Sequence, residues 1–174
     1  AFLQIRRQWF SVCLHRIDGD FPIRSHVLVT GARYPLGVGA GGLAFLAALP
    51  DEQVEIALKS NREFIASRYP RLTASKIAAL VAEARAKGYA LNRGLVFPGS
   101  WGIAMVVRDS IGGLDLCLSL AAVESRLQPD RESLLADLLK SEVRRLEASQ
   151  SELATADRSN ADRKNANQAA IDVL

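Results

Sequence analysis

The run Leu114-Asp115-Leu116-Cys117-Leu118-Ser119-Leu120-Ala121 alternates a leucine with a small or polar residue at every step. A strand sends successive side chains to opposite faces. A strand here therefore carries Leu114, Leu116, Leu118 and Leu120 on one side, and Asp115, Cys117, Ser119 and Ala121 on the other. The stretch just upstream repeats the arrangement, with Ser100, Gly102 and Ala104 in one parity and Trp101, Ile103, Met105 and Val107 in the other. Only Asp109-Ser110-Ile111-Gly112-Gly113 separates the two predicted strands, Ser100 to Arg108 and Leu114 to Val123. If they pair, both small faces can lie on one side of a sheet. Gly, Ala, Ser and Cys there leave space that either close-packed helices fill or a ligand occupies, and parity alone leaves both open.

Outward from this pair, the chain reads as alternating blocks. Gln8 to Ile17 is rich in Trp, Phe, Val and Leu and is predicted as a strand. Asp18-Gly19-Asp20 signals a tight turn, and Pro22 to Thr30 follows as a second strand of an antiparallel hairpin. Residues 30–35 read as a loop. Gly42 to Leu49 reads as a short apolar helix stopped near Pro50. Asp51 can cap a second helix with Val54, Ala57 and Leu58 on one face. Thr73 caps a third, in which Ile77, Leu80, Val81 and Ala84 recur at helical spacing before Gly88 ends it. Tyr89 to Asn92 is a short strand. Asp130 opens the last helix, with Leu135, Leu138, Leu139, Val143 and Leu146 as its apolar positions.

Beyond Ala148 the composition turns to Ser, Ala, Asn, Asp, Arg and Lys. The expectation is a folded domain over 1–147 and a polar tail over 148–174, frayed or disordered. The order β-β-α-α-α-β-β-β-α implies an α+β domain with helices packed on a largely antiparallel sheet.

Composition narrows the function classes. At 174 residues, 49% hydrophobic and 24% charged, the chain can bury a core as one globular domain. Aromatic residues are too sparse for a base-stacking surface. The net charge of +3 comes from scattered residues such as Arg6, Arg16, Arg33 and Arg71, not from a phosphate-tracking run. Cys13 and Cys117 belong to no C-x-x-C or Cys/His cluster and read as buried reduced thiols of a cytoplasmic protein, with no metal site. No apolar run reaches the roughly 18 to 20 residues of a membrane span, and no signal peptide opens the chain, so no membrane partner is expected. The start at Ala1, without Met, suggests an excised domain.

Gly37-Val38-Gly39-Ala40-Gly41-Gly42 contains G-x-G-x-x-G but fails as a dinucleotide fingerprint. Arg33-Tyr34-Pro35 intervenes where a strand should lead directly in, and helices follow where a second strand should carry an acidic residue. No Gly-Lys-Ser/Thr follows to make a P-loop, so no cofactor is implied. Small residues at a helix start expose unpaired N–H groups that favour an anion. A carboxylate can sit against Ala40 and Gly41, or the glycines merely allow a tight turn into the helix. His15 and His26 neighbour no nucleophile, and Asp18, Asp20 and Asp51 suit turns and caps. No nucleophile–base–orienter set exists, and the chain is not read as an enzyme.

The ordered set Tyr34-Pro35-Leu36, the glycine cluster with Gly42-Leu43-Ala44-Phe45-Leu46-Ala47, Ala84-Arg85-Ala86-Lys87-Gly88-Tyr89-Ala90, Pro98-Gly99-Ser100-Trp101-Gly102-Ile103-Ala104, and Ser119 to Leu127 resembles the effector domain of IclR-type bacterial transcription regulators over about residues 9 to 147. The resemblance implies a GAF-like (profilin-like) fold, a curved antiparallel sheet flanked by helices with a ligand cavity on one face. It further implies a homodimeric or homotetrameric repressor or activator, bound to operator DNA only through an N-terminal winged helix-turn-helix domain that this chain does not contain. Position by position, the effector contacts fall on Tyr34, Ala40, Gly41, Asn92, Ser100, Gly102, Ser119 and Ala121. Leu43 stands where the family often has Lys, Asn92 where it has an acid, Ala121 where it has a second serine and Val123 where it has proline. With one hydroxyl and one negative charge fewer, the expected effector is a small organic acid with an apolar or aromatic body, not a heavily oxygenated sugar acid. The competing readings are an oligomerisation module with a filled cavity and an enzyme on a related fold.

Overall fold

The computed structural model describes the backbone of residues 1–22, 27–108 and 115–171, and side chains as far as residue 152. Its first strands are Phe2–Arg7 (β1) and Phe10–Arg16 (β2), an antiparallel hairpin closed by Gln8 and Trp9. The hairpin therefore lies one element earlier than predicted. Gln8 takes a positive φ of 52° in a two-residue turn that has no glycine or asparagine to announce it. Among the described residues Asp18-Gly19-Asp20 closes no hairpin. In the predicted strand Pro22 to Thr30, the described residues are not in strand and residues 23–26, His26 among them, lie outside the described set. Strand β3, Arg33–Pro35, occupies what reads as loop and pairs with β2.

Three helices follow. Helix α1, Gly39–Ala48, begins three residues earlier than predicted, inside the glycine cluster. Gly37 (φ 94°) and Gly39 (φ 71°) take left-handed conformations that swing the chain from β3 into it. Helix α2, Asp51–Arg68, is N-capped by Pro50, not Asp51, and buries Ala57, Asn61 and Ile65. Helix α3, Ala74–Lys87, has the predicted ends: the Thr73 hydroxyl accepts the Lys76 N–H at 3.2 Å, and Gly88 closes it at φ 77°. Strands β4 (Ala90–Arg93), β5 (Ser100–Val107) and β6 (Leu116–Val123) then lead through a 3₁₀ turn, Glu124–Arg126, into helix α4, Pro129–Ile171. Residues 109–114, which hold the predicted connection and Leu114, lie outside the described residues.

The six strands form one curled antiparallel sheet in the order β3-β2-β1-β6-β5-β4, giving an α+β GAF-like fold. The parity argument meets its register here. Gly102 pairs with Ala121, Ala104 with Ser119, and Val106 with Cys117, so the small residues of β5 and β6 do share a face. Helix α1 packs on that face, where Ala104 and Cys117 join Leu43, Phe45 and Leu46 in the main core. On the opposite face Ile103, Met105, Leu118 and Leu120 pack with Leu127, Ala136 and Leu139 of the final segment. Of the predicted α4 positions, Leu138 faces away and is 53% exposed, while Leu139 and Val143 are buried.

Candidate functional site

Close packing and open space share the small face. Toward one end α1 sits directly on the sheet. Toward the other, between the start of α1 and the ends of β1, β4, β5 and β6, a cavity of about 80 Å³ remains. All eight residues singled out from the sequence line it. Ser100, Gly102, Ser119 and Ala121 form its floor on β5 and β6, Ala40 and Gly41 its roof at the start of α1, Tyr34 one wall and Asn92 the other. Glycine at 102 is what lets roof and floor approach, since a Cβ there would lie 3.3 Å from the Ala40 Cβ and 3.4 Å from the Leu120 carbonyl oxygen.

The roof is a helix end that no side chain caps. The N-cap residue is Val38, and the first turn has no acidic residue. The leading amides of such a turn have no intrahelical acceptor, and the helix dipole adds partial positive charge. At the far end of α1, Arg85 donates to the Ala47 carbonyl (3.1 Å) and the Leu49 carbonyl (2.7 Å), so the negative pole is covered by a cation. No charged side chain lines the cavity among the described residues.

Asn92 is 4% exposed. Its Oδ1 accepts the Leu95 N–H at 3.2 Å, which fixes the amide and leaves Nδ2 buried with no hydrogen-bond partner. An orphaned buried donor costs about 1 to 3 kcal/mol. Tyr34 donates its hydroxyl to the Val27 carbonyl (3.0 Å), and burial pushes its phenol up from the ordinary value, so it stays neutral.

Several lining residues were not read from the sequence. Gln4 is the most telling. Its Nε2 donates to Ser119 Oγ at 2.6 Å, and its Oε1 accepts from Ser11 Oγ at 2.6 Å. A Cβ on Gly41 would fall 2.4 Å from the Gln4 amide, so the glycine at 41 makes room for this side chain as well as presenting its own N–H. The signal available was a lone amide inside the apolar run Phe2-Leu3-Gln4-Ile5. Phe2, Val38, Phe97 and Trp101 complete an apolar wall, with Val27 and Leu28 reaching in from the segment before β3.

A curled antiparallel sheet with a helix start roofing a small cavity defines a cavity-bearing α+β domain. The family described as "Bacterial transcriptional regulator IclR C-terminal" matches residues 2–148, and the chain belongs to this family. It is 29% identical over 123 residues to the HTH-type transcriptional repressor AllR of Klebsiella pneumoniae. That match covers 68% of this chain but 44% of AllR, so the chain spans less than half the length of this curated relative. Among solved structures, the fold is similar to the effector domain of IclR from Acinetobacter sp. ADP1 (TM-score 0.73, 17% identity, 84% of each chain). It is also similar to the Agobacterium tumefaciens repressor BlcR (TM-score 0.66, 19% identity, 84% of this chain and 57% of that one).

Proposed function

We propose that the cavity receives a small carboxylate effector and that its occupancy controls a DNA-binding domain lying outside these residues. The carrying observation is the buried, unpartnered Asn92 Nδ2 in a cavity roofed by an uncapped helix start. A carboxylate supplies acceptors to Ala40 N–H, Gly41 N–H, Asn92 Nδ2 and the Ser119 hydroxyl at once. Its body then rests on Ser100, Gly102 and Ala121 below and on Phe2, Tyr34 and Phe97 at the sides.

The size of the cavity favours a body of a few carbons. An engineered cavity of about 150 Å³ accommodates benzene, roughly twice the space here, so an aliphatic acid fits better than an aromatic one. The mostly apolar lining, without a charged side chain among the described residues, argues against a sugar acid. AllR is a helix-turn-helix repressor, and the same role suits the whole protein of which this domain forms part. In that role the domain is a cytoplasmic, non-enzymatic module in a homodimer or homotetramer, and ligand binding biases the arrangement of its DNA-binding partners.

A thermal-shift screen with short aliphatic, aromatic and sugar acids tests the ligand class. A ligand at 100 times its Kd stabilises the fold by about 2.7 kcal/mol, and the short aliphatic acids are expected to give the largest upward shift. Stabilisation by neutral or cationic compounds alone overturns the reading, and chemical turnover of a bound acid replaces it with an enzyme.

A further inference from the structure

We propose that Ser11, which does not line the cavity, sets the polarity of the Ser119 hydroxyl through Gln4. The cavity thereby turns the Ser119 donor, like that of Asn92, toward a ligand, and takes a carboxylate in preference to the isosteric primary amide. The inference rests on the carboxylate reading above and names what enforces it.

The three residues form a buried chain across three strands, with Ser11 on β2 2% exposed, Gln4 on β1 5% and Ser119 on β6 5%. Ser11 Oγ donates to Gln4 Oε1, and Gln4 Nε2 donates to Ser119 Oγ, each at 2.6 Å. A hydroxyl can donate or accept, so such a chain has two polarities. In the reverse one the Gln4 amide is turned over, Ser119 donates inward to Gln4, and Ser11 accepts.

The two ends are not equivalent. Ser119 lines the cavity, where a bound molecule can accept its proton. Ser11 is sealed away, and Gln4 Oε1 is the one acceptor its hydroxyl has among the described residues. Reversing the chain would strand the Ser11 proton in the interior, at the cost of an unmade buried hydrogen bond. The observed polarity avoids this and aims the Ser119 proton at the ligand.

Asn92 is built the same way. Its oxygen is held by the Leu95 N–H, which lies outside the cavity lining, and its NH₂ is left for the cavity. Two side-chain amides in one small cavity are thus each oriented by a partner behind them, in the same sense. With the Ala40 and Gly41 amides, Ser119 and Asn92 make four donors that one ligand group can meet. A carboxylate accepts from all four, whereas a primary amide replaces one accepting oxygen with an NH₂ group that faces these donors.

The test uses the full 174-residue chain with propionate and propionamide as probes, titrated by calorimetry or ligand-observed NMR. The wild type is expected to prefer propionate by about tenfold or more, the equivalent of one lost charge-assisted hydrogen bond. Ser11→Ala frees the Gln4 amide to turn over, and the preference should fall by about threefold or more, on the scale of half a hydrogen bond. Ser11→Thr keeps the hydroxyl and should restore it. Gln4→Glu accepts from both serines, turns the Ser119 proton inward and should lose propionate at neutral pH while regaining it as the pH falls.

A Ser11→Ala protein that loses stability but keeps the wild-type acid-to-amide ratio overturns the inference. A ligand-free measurement stands beside this one. In the wild type the Gln4 side-chain NH₂ protons should show nuclear Overhauser contacts to the Ser119 β-protons and not to those of Ser11. The opposite pattern refutes the relay even if propionate binds. Failure of the wild type to bind either probe, with the expected contacts present, sinks the carboxylate reading and its ligand discrimination and leaves the oriented relay standing.

Discussion

The two faces of the sheet treat polar groups in opposite ways. On the face covered by α4, that helix's Glu132 is 8% exposed and fully engaged: Lys87 Nζ (2.8 Å) and the Tyr89 hydroxyl (2.9 Å) donate to one oxygen, Arg93 (3.0 Å) to the other. Glu83 shares the same two cations, at 3.1 Å from Lys87 and 3.2 Å from Arg93. On the α1 side, Asn92 Nδ2 has no partner and the first turn of α1 has no cap. A satisfied network ties α3, β4 and α4 together, while one residue back along β4 the buried Asn92 Nδ2 is left unpaired. Residues 92 and 93 are neighbours that serve the two purposes, because adjacent strand residues point to opposite faces.

The largest effect is expected from opening the closed side. Glu132→Ala leaves Lys87 and Arg93 with Glu83 alone and should destabilise the fold by about 2 to 3 kcal/mol, discounted because both cations are about one-third exposed. Burial works against the charged form of Glu132, but the hydrogen bonds from Lys87, Tyr89 and Arg93 outweigh it and hold the carboxyl below its ordinary 4.5. A depressed folded value means the stabilisation is present above the unfolded value and is lost as the pH falls through the folded one. Glu132→Gln should flatten that acid limb in denaturant titrations. If the acid limb of the wild type and of Glu132→Gln coincide, the network contributes nothing at this site.

The next effect separates the packed end of the small face from the open end. Cys117 is completely buried beneath α1, and burial pushes its thiol from 9.0 up to about 12. A raised value for an acid favours the neutral folded form, so this stability is full below the unfolded value and declines between the two. At about pH 10.5 the loss should be about 2 kcal/mol, and Cys117→Ala should remove that part of the alkaline decline. Rapid alkylation of Cys117 in the folded protein at neutral pH would show instead that the cavity extends to it.

How much of this contrast was legible in the sequence follows from the range of each cause. The parity of Ser100 to Ala104 and of Cys117 to Ala121 is local and period-two, so the small face could be read before its register was known. Thr73 and Gly88 act within one helical turn and mark α3 correctly. The hairpin of β1 and β2 is not legible because its turn, Gln8-Trp9, places a glutamine rather than a glycine or asparagine at the positive-φ position. Once β1 was missed, Gln4 could not be placed next to Ser119, a contact across 115 residues. Val27, Leu28 and Phe97 reach the cavity from loops, where no period signals which way a side chain points.

A smaller effect is expected from changing the sign of the open group. Asn92→Asp keeps the oxygen that accepts from Leu95 but replaces the free donor with a second acceptor. Binding of a short aliphatic acid should weaken by about tenfold or more at neutral pH, the loss of one donor plus like-charge repulsion. Protonation of the new carboxyl should recover part of it as the pH falls. Undiminished binding at neutral pH, measured by calorimetry, would show that Asn92 Nδ2 does not contact the ligand.

The finest effect concerns Ala121. It sits two residues beyond Ser119 on the same face and opposite Gly102, where no side chain competes for space. Ala121→Ser therefore adds a hydroxyl to the floor without a clash and without a buried partner to displace, because the position is only partly buried. A net hydrogen bond is worth about 0.5 to 1.5 kcal/mol, so affinity for a short acid should rise by about two- to tenfold while unliganded stability stays within about 0.5 kcal/mol. The gain should be larger for an acid carrying a further oxygen near the carboxylate than for propionate, because one hydroxyl can serve that oxygen while Ser119 serves the carboxylate. Equal gains for both acids would mean that Ala121 faces the carboxylate itself, and that the ligand lies farther along β6 than the donors at Ala40, Gly41 and Asn92 require.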